Sequence, residues 1–137
     1  MTCLFLTTSL YAAPITYQGK GSALFPKTQR KYSCHEVFLR FEILPTKLKL
    51  IEGGYNCPPL SAAYDYFVFD IKDGKLLTKG EEVGTISEEE LNLYQYDPAD
   101  DSHFHLNWKF SGKKLEYTET WDEGNVRALE VKAILSR

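Results

Sequence analysis

Residues 103–121 read as two strands that share one register about a two-residue turn. Along 103–110 the apolar Phe104, Leu106, Trp108 and Phe110 alternate with His103, His105, Asn107 and Lys109, the period of two expected of a half-buried strand. Gly112-Lys113 has the glycine-first form of a tight hairpin turn. Pairing outward from it sets Phe110 against Leu115, Trp108 against Tyr117, Leu106 against Glu119 and Phe104 against Trp121. The apolar faces coincide, and a slip of one residue would turn every one of them outward. Turn and pattern together confine this stretch to antiparallel β structure.

The same test works elsewhere. Residues 35–43 set His35, Val37, Leu39, Phe41 and Ile43 against Glu36, Phe38, Arg40 and Glu42, and residues 126–135 alternate about Leu129, Val131, Ala133 and Leu135. Asp73-Gly74 is a strong hairpin signal and sets Ile71 against Leu76. Asp122-Glu123-Gly124 suits a three-residue loop, which would place Tyr117 against Leu129, Leu115 against Val131 and Glu119 against Arg127. Symmetric pairing about Pro45-Thr46 sets Ile43 against Leu48, Phe41 against Leu50, and Cys34 against Cys57. A bulge at Gly53-Gly54 would shift the far end by one residue.

These patterns mark ten segments: 15–24, 30–43, 47–56, 64–72, 75–79, 82–86, 91–96, 103–111, 114–121 and 125–135. Ser87-Glu88-Glu89-Glu90 fits a capping box for one helical turn, which leaves the all-β class unchanged. The predicted fold is an antiparallel up-and-down β-barrel of about eight to ten strands, since closure removes exposed edges. A two-sheet β-sandwich is the alternative.

This layout resembles the calycin group, the small barrels of lipocalins, fatty-acid-binding proteins and similar bacterial domains. The likeness spans nearly all of residues 14–137. It includes a glycine-rich first strand, Tyr17-Gln18-Gly19-Lys20-Gly21, a run of hairpins, and the aromatic late strand Leu115-Glu116-Tyr117-Thr118-Glu119-Thr120-Trp121. No Trp follows Gly19-Lys20-Gly21 as it does in the lipocalin first strand. The resemblance implies a fold, and no family's functional residues carry over.

Composition narrows the setting. A net charge of −3 with both signs interspersed gives no basic footprint for nucleic acid and no polybasic membrane patch. Nine Tyr, eight Phe and two Trp exclude a disordered chain. Residues 1–13 carry no charge, are mainly apolar and end in Ala12-Ala13 before Pro14. They read as a remnant or complete signal peptide, with residues 14–137 as one domain. Gln18 and Lys20 arrive too soon for a spanning helix, so no integral membrane segment is expected. With Cys3 in the leader, the mature chain keeps Cys34 and Cys57, an even pair that reads as a disulfide in an exported, periplasmic or secreted protein.

No nucleophile elbow, phosphate loop or dinucleotide fingerprint occurs, so the expectation is a non-enzyme without cofactor. His103 and His105 share a face with Asn107 and Lys109, a solvated outer surface rather than a metal site. Asp97-Pro98-Ala99-Asp100 lacks the ligand spacing of a calcium loop and reads as a polar turn. Glu119 stands out, because its parity puts it inside with Leu115, Tyr117 and Trp121. A buried carboxylate costs several kcal/mol unless partnered, and the expected register supplies Arg127.

Two functions are compatible with these residues. The leading one is a barrel binding a small hydrophobic or amphipathic ligand, with Glu119 and Arg127 as a polar anchor beside Phe104, Trp108, Tyr117 and Trp121. The alternative is a filled barrel that meets a protein partner, as an interaction or inhibitor module, through loops 57–63 and 97–102.

Overall fold

A computed structural model describes residues 13–137. The apolar leader, apart from Ala13, lies outside the described residues. Every regular element among them is a strand: β1 (Ile15–Phe25), β2 (Arg30–Ile43), β3 (Lys47–Cys57), β4 (Leu60–Tyr64), β5 (Phe67–Lys72), β6 (Lys75–Thr78), β7 (Glu81–Ile86), β8 (Glu90–Asp97), β9 (Ser102–Ser111), β10 (Lys114–Glu123) and β11 (Val126–Ser136). No helix among the described residues is long and apolar enough to cross a membrane.

Ten of these strands form a closed antiparallel ring. Neighbours in sequence pair around it, except that β4 lies outside and β3 passes directly to β5. Closure comes from β1 against β11, from Gln18↔Ser136 to Leu24↔Glu130. The glycines of β1 permit this join, because a Cβ on Gly19 would stand 2.3 Å from the Ile134 carbonyl oxygen and one on Gly21 2.2 Å from that of Lys132. Side chains there would force the two backbones apart.

The hairpin about Gly112-Lys113 has the register expected from the sequence, from Leu115↔Phe110 through Tyr117↔Trp108 and Glu119↔Leu106 to Trp121↔Phe104. Ile71↔Leu76 also holds, as do Ile43↔Leu48 and Phe41↔Leu50. Beyond Leu50 one extra residue, Ile51, bulges from β3, so the register shifts by one, just before Gly53-Gly54. Cys34 and Cys57 still meet and form a disulfide.

Three expectations are corrected. Residues 60–63 are not loop. A tight turn at Pro58-Pro59, with a cis peptide between the two prolines, leads straight into β4. Tyr64↔Gly53 and Phe67↔Leu50 obey one register on β3, so β4 and β5 are a single line of pairing interrupted at Asp65-Tyr66. The last hairpin turns at Gly124-Asn125 rather than across a three-residue loop, and a bulge at Trp121/Asp122 adds a further shift. Glu119 therefore faces Val131, and Arg127 faces Asp122. Finally, the Ser87 hydroxyl accepts from the amides of Glu89 and Glu90 in the manner of a helix cap, but the chain closes a turn with Ser87 N–H to Glu90 C=O at 2.8 Å and resumes as β8.

The interior is packed in its middle, and toward the Gly112-Lys113 end a cavity of about 460 Å³ opens at the rim among Ile15, Tyr17, Phe41, Ile86 and Phe110. Trp108 is wholly buried in the packed middle, its ring 4.9 Å from that of Phe41, which also stacks on Tyr17 at 5.8 Å. Leu39, Leu48, Leu76, Leu91 and Leu115 complete the packing. Ile43 and Phe67 stand at the rims, 38% and 42% exposed.

Candidate functional site

The opposite end of the barrel is hollow. β6 and β7 have only four and six residues, so their hairpin stops short of the rim. β4 pairs only with β3 among the described strands, and β8 beyond Leu93 pairs only with β9. A notch is left in the wall between β4 and the end of β8. Behind it lies a cavity of about 600 Å³, with Ala62, Tyr64 and Phe67 on one side of the notch, Tyr94 and Gln95 on the other, and Val83 between. Leu50, Leu93 and Leu106 form its apolar depth.

Glu119 sits in this cavity and is 1% exposed. β10 places it on the inner face two residues from Tyr117 and two from Trp121, and both contact it. Trp121 Nε1 donates to Oε2 at 2.7 Å, and the Tyr117 hydroxyl donates to Oε1 at 2.6 Å. From across the barrel the Tyr55 hydroxyl donates to Oε2 at 2.8 Å. The Tyr64 hydroxyl, brought in by β4, is in hydrogen-bond contact with both Oε1 and the Tyr117 oxygen. An ionised carboxylate offers about four lone-pair sites, and these donors occupy them.

The tyrosines respond to this setting. Burial first, and then the neighbouring Glu119 charge, pushes the hydroxyls of Tyr55 and Tyr64 far above the ordinary phenol range. Tyr117 moves the same way, through burial and then through Tyr64 and Glu119. All three are thereby held in the protonated, donating form at pH values where an exposed phenol would ionise.

Of the residues expected to form a site, Glu119, Tyr117, Trp121 and Phe104 come together, with the Phe104 and Trp121 rings 4.6 Å apart and edge-on. Trp108 belongs to the packed core below. Arg127 is not the partner of Glu119. It lies on the outer surface, where it pairs with Asp122 and, at 3.0 Å, with Glu130. Sequence reasoning missed Tyr55 and Tyr64. Tyr55 returns to the inner face only because of the Ile51 bulge, and Tyr64 lies at the end of β4, beyond a stretch whose sequence suggests a loop. The alternation in Gly53, Tyr55 and Cys57 is the available signal for the first, since the disulfide turns Cys57 inward.

His103 and His105 lie on the outer face of β9, against tyrosines of β8. His105 stacks on Tyr94 at 4.5 Å and hydrogen-bonds Asn92 at 2.9 Å, and Asn107 joins Asn92 to Glu90. His103 packs on Tyr96. Burial, and next the charge of Arg127, lowers the pKa of His105. Residues 98–101 form a polar turn braced by Tyr96 to Asp101 at 3.1 Å and by Ser102 to Asp100 at 2.5 Å.

No protein-family model matches the chain, and no curated protein matches it in sequence.

Proposed function

We propose that this protein is an exported, non-catalytic barrel of calycin-like type that holds one small amphipathic ligand in the cavity behind the notch. The observation that carries the reading is the cavity itself: about 600 Å³ of mainly apolar space with one cluster of polar groups around Glu119. Ligand sites generally combine an apolar concavity of a few hundred Å³ with a few convergent polar groups, and small barrels hold ligands in their mouths. The low wall at β6 and β7 supplies an entrance that leaves the ring of strands closed elsewhere. The Cys34–Cys57 disulfide supports export, because such bonds persist in oxidising compartments.

The test is the mass of protein purified gently from the exporting cell, taken first under native and then under denaturing conditions. Mass lost on denaturation is the expected result. A bare native mass, together with no response of Trp121 fluorescence to a broad panel of lipids and hydrophobic dyes, would remove the reading.

A further inference from the structure

We propose that the ligand of this cavity is an organic cation, an amine or quaternary ammonium carried on an apolar body. The inference rests on the carrier reading and names the chemistry of its ligand.

Charge points to a cation first. Glu119 is enclosed and takes hydrogen bonds from three phenols and an indole, all of them neutral. Among the described residues no lysine, arginine or histidine forms an ion pair with it. None of the described residues lining the cavity is a base. Hydrogen bonds stabilise a buried carboxylate but do not cancel its charge, and a charge of that kind attracts a counter-ion strongly where water is scarce. The barrel supplies the anion and leaves the cation to the ligand.

Hydrogen-bond polarity points the same way. The hydroxyl protons of Tyr55 and Tyr64, like the N–H of Trp121, are engaged in the Glu119 cluster. What the two phenols still offer is acceptor lone pairs. Thr78, Tyr94 and Gln95 are the other polar side chains lining the cavity, and each can donate as well as accept. A ligand head group that brings its own N–H donors, or none, meets the two phenol oxygens beside Glu119 without conflict, whereas a carboxylate head placed there would face them and Glu119 together.

The walls favour the same ligand. Tyr64, Phe67, Phe69, Phe104 and Trp121 line the cavity, with Tyr94 at its mouth. Aromatic faces carry negative potential, and a cation held within about 6 Å of several rings is attracted to them. An aromatic enclosure around a buried carboxylate discriminates by charge as well as by apolar area.

The test is a matched series of probes with one tail and three heads: octyltrimethylammonium, octan-1-ol and octanoate, titrated at neutral pH into the disulfide-bonded protein and followed by calorimetry and Trp fluorescence. The cation is expected to bind about tenfold or more tighter than the alcohol, the step that about 1.4 kcal/mol of added attraction produces, and octanoate more weakly than either. In Glu119→Gln, with its fold checked by near-UV circular dichroism, the three affinities should converge. Octanol or octanoate binding the wild type as tightly as the cation would overturn the inference and leave the carrier reading intact. So would a folded Glu119→Gln that kept the preference for the cation. If Glu119→Gln does not fold, the wild-type series decides alone. If no probe binds and the native mass is bare, the carrier reading falls and takes this inference with it.

Discussion

Tyr55 and Glu119 are 64 residues apart and lie on strands that are not neighbours in the sheet, yet the Tyr55 hydroxyl donates to Glu119 Oε2 at 2.8 Å. The contact crosses the barrel from β3 to β10 at the level where the packed core gives way to the cavity. It ties the site to the closure of the fold, because Tyr55 reaches the inner face only after the Ile51 bulge, two residues before the disulfide at Cys57.

Tyr55→Phe removes this donor and keeps the ring. A hydrogen bond to a charged group contributes about 1.5–3 kcal/mol, and the remaining donors around Glu119 leave the loss near the lower end. The urea midpoint of Tyr55→Phe should fall with the m-value unchanged, while Tyr66→Phe, 59% exposed, should match the wild type. Equal midpoints for both variants would show that the buried carboxylate does not depend on β3.

Alkaline pH should act on the same cluster. Tyr55, Tyr64 and Tyr117 are held protonated in the fold, by burial first, whereas in the unfolded chain each ionises near its ordinary value of 10.0. The native state therefore keeps protons that the unfolded state releases. Their contribution to stability is complete below about pH 10 and is lost as pH rises beyond it toward the raised native values. Phenolate absorbance followed beside far-UV circular dichroism should show three tyrosines ionising only as the strands melt. Complete, smooth ionisation of every tyrosine with the fold intact would contradict the buried cluster.

The disulfide spans 23 residues, and closing a loop of about that length contributes about 3 kcal/mol in the chain-entropy account. Replacing both Cys34 and Cys57 with Ala should lower stability by about that amount in urea. Both sulfurs are buried, so mild reductant should leave the native bond largely intact until denaturant is added. A double variant as stable as the wild type would mean that the barrel holds β2 and β3 together without the bond.

The parts of the fold legible in the sequence are those set by parity and tight turns. The pairings of Trp108 with Tyr117 and of Phe41 with Leu50 are fixed by short turns, which leave little freedom of register. The error at Arg127 has a definite origin. Moving the last turn from Asp122-Glu123-Gly124 to Gly124-Asn125, together with the bulge, displaces the partner of Glu119 from Arg127 to Val131. That is four residues, an even number, so the apolar faces still match and parity gives no warning. The bulge at Trp121/Asp122 reverses the facing of the next residues along the hairpin, which carries Arg127 outside. β4 is hard to recognise because Leu60-Ser61-Ala62-Ala63 is short, weakly apolar and preceded by two prolines. Tyr64, and with it the reach of the Glu119 cluster across the notch, is hidden for the same reason. Cavity volume has no local signature, since the same large side chains serve a packed core and a lined pocket.

Arg127 gives the sharpest contrast between the sequence-based expectation and the fold. Its side chain is 40% exposed and pairs with Asp122 and Glu130 on the outer surface. Exposed ion pairs contribute about 0–1 kcal/mol, so Arg127→Ala should shift the urea midpoint only slightly. It should also leave the order of affinities for octyltrimethylammonium, octanol and octanoate unchanged, because the guanidinium has no part in the Glu119 cluster. Glu119→Gln should alter that order. If Arg127→Ala instead raised affinity for the cation or abolished binding of octanoate, a positive charge would be acting inside the cavity, and the anionic character assigned to the site would be wrong.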